Sequence, residues 1–136
     1  MARPDGLQYT PWPHRDHYPN WSLPALEAAK CAERQGSEAF ERLHLALYRA
    51  FFTESRDIAR PDEVARIAAE SGLDTDRFLA DYRAGLGRQA VIADYRAAVQ
   101  DGVRSIPTVV LPDTGAVLVG LAEAWAYRAS VEDALR

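Results

Sequence analysis

The sequence has almost no cysteine. Cys31 is the only one among 136 residues, and no C-x-x-C motif occurs. An internal disulfide is therefore excluded. A metal site built from cysteines is excluded as well, because such a site needs several thiolate ligands.

The sequence also lacks a cluster of basic residues. The net charge at pH 7 is −4, and only one of the 16 basic residues, Lys30, is a lysine. Nucleic-acid binding needs a basic patch or stripe, so we predict no nucleic-acid partner. The preference for arginine over lysine is typical of a genome rich in G and C, and from it we predict a bacterial source.

Long hydrophobic runs are missing too. No apolar stretch approaches the roughly 20 residues of a membrane-spanning helix, and residues 1–6 lack the apolar core of a secretory signal. We therefore predict no membrane partner and a cytoplasmic location. With 48% hydrophobic residues, the chain is long enough for one globular domain with its own core.

Five helices are predicted between residues 22 and 101, from apolar residues at three- and four-residue spacing and from the glycines that follow them. They begin near Ser22, Ser37, Pro61, Asp74 and Gly87.

The second of these helices has the clearest apolar face. Phe40, Leu43, Leu47 and Phe51 recur at the spacing of a single helix face. We predict that this helix is the most buried one and that these four side chains lie inside.

Strand patterns occur only near the two ends of the chain. Leu7–Thr10 alternates apolar and polar residues, and Thr108–Leu111 is rich in β-branched residues. A turn at 112–115 leads from the latter to a second apolar run at 116–120, and a last helix follows. The order predicts a mostly helical α/β fold, in which a large all-helical insertion interrupts a sheet.

Pro107 stands directly before the strand predicted at Thr108–Leu111. Proline has no backbone N–H and does not fit inside a sheet, so it marks a specific junction. Because the trans preference of an X–Pro bond is only about 0.5–1 kcal/mol, we predict that the Ile106–Pro107 bond is cis.

In this order and spacing, several segments resemble the DsbA family of thioredoxin-like proteins, and within it the FrnE-like branch. The segments that carry the resemblance are 22–26, 32–36, 47–52 with the turn at 57–58, 67–74 and 102–108. The resemblance implies a single DsbA-like domain over residues 1–136. Its thioredoxin-like part would comprise 7–12 and 103–136, and its helical insertion 22–101.

The resemblance implies membership of a thiol–disulfide oxidoreductase family. In that family a strand and a helix with C-x-x-C precede the matching segments, so we expect this chain to begin at the family's second strand and its sheet to be incomplete. No catalytic residue is carried over, and the chain is predicted to be redox-inactive. What is carried over is the cis-proline loop, which binds a peptide or a protein thiol in the family: Ser105, Ile106, Pro107 and Thr108.

Two alternatives stay open. One is a non-catalytic module that binds a peptide or a partner protein through the cis-proline groove. The other is a relative of the glutathione-linked kappa-class transferases and 2-hydroxychromene-2-carboxylate isomerases, which share the helical insertion. No cofactor is predicted for this chain.

Cys31, His14 and His17 are the remaining candidates for chemistry. A helical wheel places Cys31 at the edge of an apolar face, where a half-buried cysteine behaves as a small hydrophobic residue. His14 and His17 have H-x-x-H spacing, but in a proline-rich loop without an adjacent glutamate. Zinc sites need three or four fixed ligands, so we predict two solvated histidines and no metal.

A second copy of the chain is the predicted partner. Without the family's first strand, Leu7–Thr10 and Thr108–Leu111 would each have an open edge facing a gap. Open strand edges attract other strands, and we predict a two-fold homodimer that closes both gaps. In the alternative, a monomer, the N-terminal strand moves into the vacant position.

Overall fold

Five helices run consecutively through the middle of the chain, and two short strands and a sixth helix follow them. The computed structural model describes residues 8–136. Every helix and strand predicted after residue 21 is confirmed, and the predicted helix starts agree within one residue. The elements of the described part are α1 Leu23–Glu33, α2 Ser37–Phe52, α3 Pro61–Glu70, α4 Thr75–Arg83, α5 Leu86–Gln100, β1 Thr108–Leu111, β2 Ala116–Val119 and α6 Ala124–Ala134.

Prolines, an aspartate and a glycine set several helix ends. Pro24 in α1 and Pro61 in α3 occupy first-turn positions, where a missing N–H costs no hydrogen bond. The Asp74 carboxylate before α4 accepts a 3.0 Å hydrogen bond from the amide of Arg77, which satisfies one free N–H of the first turn. Gly85, with φ of 73°, turns the chain between α4 and α5 in a conformation that glycine adopts without strain.

The core lies around α1, which packs against α2, α3 and α4. Six of the eleven residues of α1 are buried, compared with four of the sixteen in α2, so the prediction that the second helix is the most buried is wrong. Leu43 and Leu47 are buried as predicted, whereas Phe40 and Phe51 are only half-buried. One face of α2 is apolar and the other is polar, because one side of this helix is in contact with water. Helix α1 has neighbouring helices on several sides, so more of its residues are buried.

Small side chains on α1 meet large ones from the surrounding helices. Ala28, Cys31 and Ala32 are completely buried, and their small volume lets the neighbouring helices approach closely. Large side chains from those neighbours fill the remaining space, as dense core packing requires. The largest of them that are fully buried are Leu43, Val64, Ile67 and Phe78.

The segment before α1 docks on the end of α2, and the strand predicted at Leu7–Thr10 is not observed. The first residue of that range lies outside the described residues, and the others form only an isolated bridge at Gln8. The amide of Thr10 donates a 2.8 Å hydrogen bond to the carbonyl of Phe52, and the Thr53 hydroxyl donates one of 2.8 Å to the carbonyl of Gln8. A helix end leaves carbonyl groups unpaired. Here the carbonyl of Phe52 pairs with the amide of Thr10, which in a strand would have paired with a neighbouring strand.

Contacts divide the chain into two compact units, one ending at Asp94 and the other comprising Tyr95–Arg136. In the second unit, β1 and β2 form an antiparallel pair in which Thr108 lies opposite Val119, and α6 packs against β1. Within residues 8–136, no helix combines the length and the apolar character needed to cross a bilayer.

Candidate functional site

Residues 105–108 form an exposed loop that leads into β1. Ser105, Ile106 and Pro107 are exposed, and Thr108 is half-buried at the start of the strand. The Ile106–Pro107 peptide bond is cis, in agreement with the prediction. The side chain of Ile106 is 92% exposed, so an apolar group stands in water at the centre of the loop.

Two hydrogen bonds fix the shape of this loop. The hydroxyl of Thr108 donates a 2.6 Å hydrogen bond to the carbonyl of Ser105. The amide of Gly120, just after β2, donates one of 2.8 Å to the carbonyl of Pro107. Within the C-terminal unit, the amide and the carbonyl of Ile106 form no backbone hydrogen bond, so both are available to a ligand.

The loop continues directly into a strand with an open edge. Among residues 95–136, the only strand partner of β1 is β2, so the other edge of β1 pairs with no strand of this unit. An extended peptide can add to such an edge as a further strand, through main-chain hydrogen bonds. The free backbone at Ile106 and the edge of β1 thus suit the binding of an extended polypeptide.

Five consecutive helices, a short antiparallel strand pair and a terminal helix make up the described part of the chain. A family model described as Thioredoxin matches residues 7–122. The chain therefore belongs to this thioredoxin family. The match confirms the predicted fold class, which is a mostly helical chain with a small sheet and a helical insertion.

Cys31 lies deeper than its position on the helical wheel predicted. It is fully buried, and its Sγ faces the backbone of Gly87 at the start of α5. Burial raises the pKa of the Cys31 thiol, and the amide of Gly87 opposes that rise only in part. A reactive cysteine needs a stabilised thiolate and access to solvent, and Cys31 has neither.

We expect Cys31 to react with a disulfide reagent such as DTNB at least about a hundredfold more slowly in the native chain than in concentrated guanidinium chloride, because attack requires opening of the core. The thiol of the unfolded chain ionises first, at about pH 8.5. The contribution of Cys31 to stability is therefore complete below that pH and declines above it. This decline of stability above about pH 8.5 should be absent from Cys31→Ala. If the native chain reacted with DTNB nearly as fast as the unfolded chain, Cys31 would not be buried as described.

Glu27 is the one charged residue that is buried among the described residues. Its carboxylate accepts a 2.8 Å hydrogen bond from Nε of Arg88, which follows Gly87 at the start of α5. The pair joins α5 to α1 beside Cys31. The sequence analysis did not identify this pair, because a partner 61 residues away leaves no local pattern.

His14, Asp16 and His17 lie together in the loop before α1. All three are exposed, and one ligand-type atom of each lies within 4.8 Å of those of the other two. Nδ1 of His17 is 3.0 Å from a carboxylate oxygen of Asp16, and the two imidazole rings stack with their centroids 4.6 Å apart. The backbone amide of Asp16, together with His17, lowers the pKa of the Asp16 carboxyl. The sequence analysis missed Asp16, although a carboxylate inside the H-x-x-H spacing was visible.

Proposed function

We propose that this chain is a DsbA-type member of its family, of the FrnE-like branch, and that residues 105–108 bind an extended polypeptide or a protein thiol. The observation that carries the proposal is the backbone of Ile106, which has no hydrogen-bond partner within its unit and precedes the open edge of β1. A ligand strand that pairs with this backbone continues onto that edge without a break.

The chain's own residues supply a binding surface with a fixed shape. The hydrogen bonds from Thr108 to Ser105 and from Gly120 to Pro107 hold the loop in place before a ligand arrives. A preformed site loses less conformational entropy on binding. The exposed Ile106 side chain adds an apolar contact, and the main-chain groups accept many different sequences.

In this proposal Cys31 takes no part in thiol–disulfide exchange. Exchange requires a thiolate that attacks a disulfide sulfur, and a second thiol that resolves the mixed disulfide. The one thiol of this chain is buried, and its pKa is raised. We therefore propose that these 136 residues bind a substrate polypeptide but do not oxidise or reduce it.

A labelled polypeptide tests the binding function. The probe is a fluorescein-labelled insulin B chain with carboxymethylated cysteines, followed by fluorescence anisotropy on the full chain. We expect Ile106→Lys to weaken binding at least about fivefold, because a contact at the centre of an interface is worth more than about 1 kcal/mol. Leu121→Lys is the matched control, since Leu121 is another highly exposed aliphatic residue of the same unit, and it should leave binding unchanged.

The other outcomes contradict the proposal. Absence of binding, or an equal loss in both variants, would remove residues 105–108 as the polypeptide site. Binding of millimolar glutathione that Ile106→Lys abolishes would favour the glutathione-linked alternative instead. Reduction of an insulin disulfide that depends on Cys31 would overturn the redox-inactive assignment.

A further inference from the structure

We propose that His14, Asp16 and His17 form a zinc-binding site with two imidazole ligands and one carboxylate ligand. The site lies in the loop before α1 and is independent of residues 105–108. One ligand-type atom from each side chain already lies within 4.8 Å of those of the other two, and all three side chains are exposed. The sequence analysis predicted no metal at His14 and His17 because it found only two ligands. The structure adds Asp16 as a third.

The type of donor favours zinc over the harder cations. Imidazole nitrogen together with carboxylate oxygen suits Zn²⁺, whereas Mg²⁺ and Ca²⁺ prefer oxygen ligands alone. Three protein ligands leave one tetrahedral position, which water fills as it does in other open zinc sites. The 3.0 Å contact between Nδ1 of His17 and the Asp16 carboxylate shows that two of the donors already point toward each other.

The distances require only a small adjustment. Zinc bonds to nitrogen and oxygen are about 2.0–2.1 Å long, which places tetrahedral ligand atoms about 3.3–3.4 Å apart. No two of these donor atoms are more than 4.8 Å apart, so no pair has to close by more than about 1.4 Å. Exposed side chains cover that distance by small rotations about their χ angles, and no buried group has to move.

Aromatic packing holds the loop in the shape that brings these ligands together. The indole N–H of Trp12 donates a 2.8 Å hydrogen bond to the carbonyl of His17, which closes the turn. The same indole ring contacts the rings of His14 and His17, with centroids 5.6 and 6.0 Å away. It also contacts Phe51 of α2, at 5.8 Å, so the ligand loop is anchored to a helix.

Calorimetric titration of the full chain with zinc chloride tests the site. We expect one zinc ion per chain, and no heat with magnesium chloride. Removing one of three ligands should weaken binding at least about tenfold, the lower limit found even when only a supporting contact of a ligand is lost. The variants are His14→Ala, His17→Ala and Asp16→Asn, whose exposed positions leave the core intact.

Two controls separate this site from other donors. His44 is the only other histidine of the chain and packs between the rings of Phe40 and Tyr48 on α2, so His44→Gln should keep zinc affinity unchanged, as should Cys31→Ser. The absorption of bound Co²⁺ should show the intense visible bands of a tetrahedral site in these controls and lose them in His14→Ala. No binding up to about 100 µM zinc, or equal binding in His14→Ala and His17→Ala, would overturn the proposal.

Discussion

Phe78→Ala should lower the free energy of unfolding of this protein by about 3–5 kcal/mol, the usual cost of removing a buried phenylalanine. Phe78 lies on α4 and is completely buried. Its ring stacks on that of Tyr82, with the centroids 5.3 Å apart. The hydroxyl of Tyr82 donates a 3.0 Å hydrogen bond to the carbonyl of Pro24. This bond joins α4 to α1, and Phe78 packs against the ring that donates it. Truncation therefore leaves a cavity in the centre of the helical unit.

Denaturation followed by far-ultraviolet circular dichroism measures this loss on the full chain. Phe52→Ala is the control, because it deletes the same atoms at a position on α2 that is 38% exposed. We expect Phe52→Ala to lower the free energy of unfolding by less than half as much as Phe78→Ala, because a partly exposed side chain buries less apolar surface in the folded chain. Equal effects at the two positions would contradict the core described here.

Gly87→Ala should destabilise the chain by about 1–3 kcal/mol, although alanine is ordinarily the better helix former. A methyl group at this position of α5 would overlap the carbonyl oxygen of Glu27 and lie 2.9 Å from Sγ of Cys31. Because the carbonyl belongs to the backbone of α1, no side-chain rotation relieves the overlap. The two helices must separate, and the hydrogen bond between Glu27 and Arg88 weakens with them.

Two measurements check this second effect. Ala93→Val adds more volume at an exposed position of the same helix, and it should cost less than about 0.7 kcal/mol. The reaction of Cys31 with DTNB should become faster in Gly87→Ala, because separation of α5 from α1 uncovers the thiol. Unchanged stability together with unchanged protection of Cys31 would show that the close approach at Gly87 is not required.

The local elements could be predicted from the sequence because local signals determine them. Helix starts at Ser37 and Pro61 and the strand at Thr108–Leu111 follow from capping residues, prolines and β-branched residues within a few positions. The cis bond before Pro107 follows in the same way. These features depend on residues that are close in the sequence, so the local sequence is enough to predict them.

Burial and pairing could not be predicted, since they depend on distant parts of the chain. Amphipathic contrast identified α2, but burial is greatest in α1, whose small residues give a weak pattern. The pair formed by Glu27 and Arg88, 61 residues apart, arises only when the chain folds back on itself. Asp16 is different, because it lies between His14 and His17 in the sequence and could have been identified there. The homodimer and the cytoplasmic location stay predictions.

The small residues of α1 also determine which substitutions this protein can accept. Where Ala28, Cys31 and Ala32 face their neighbours, added atoms have no space, whereas at Phe78 it is the loss of atoms that does harm. A complete substitution scan should therefore separate the two kinds of position by the sign of the volume change. The central helix sets an upper limit on side-chain size, and the helices around it set a lower one.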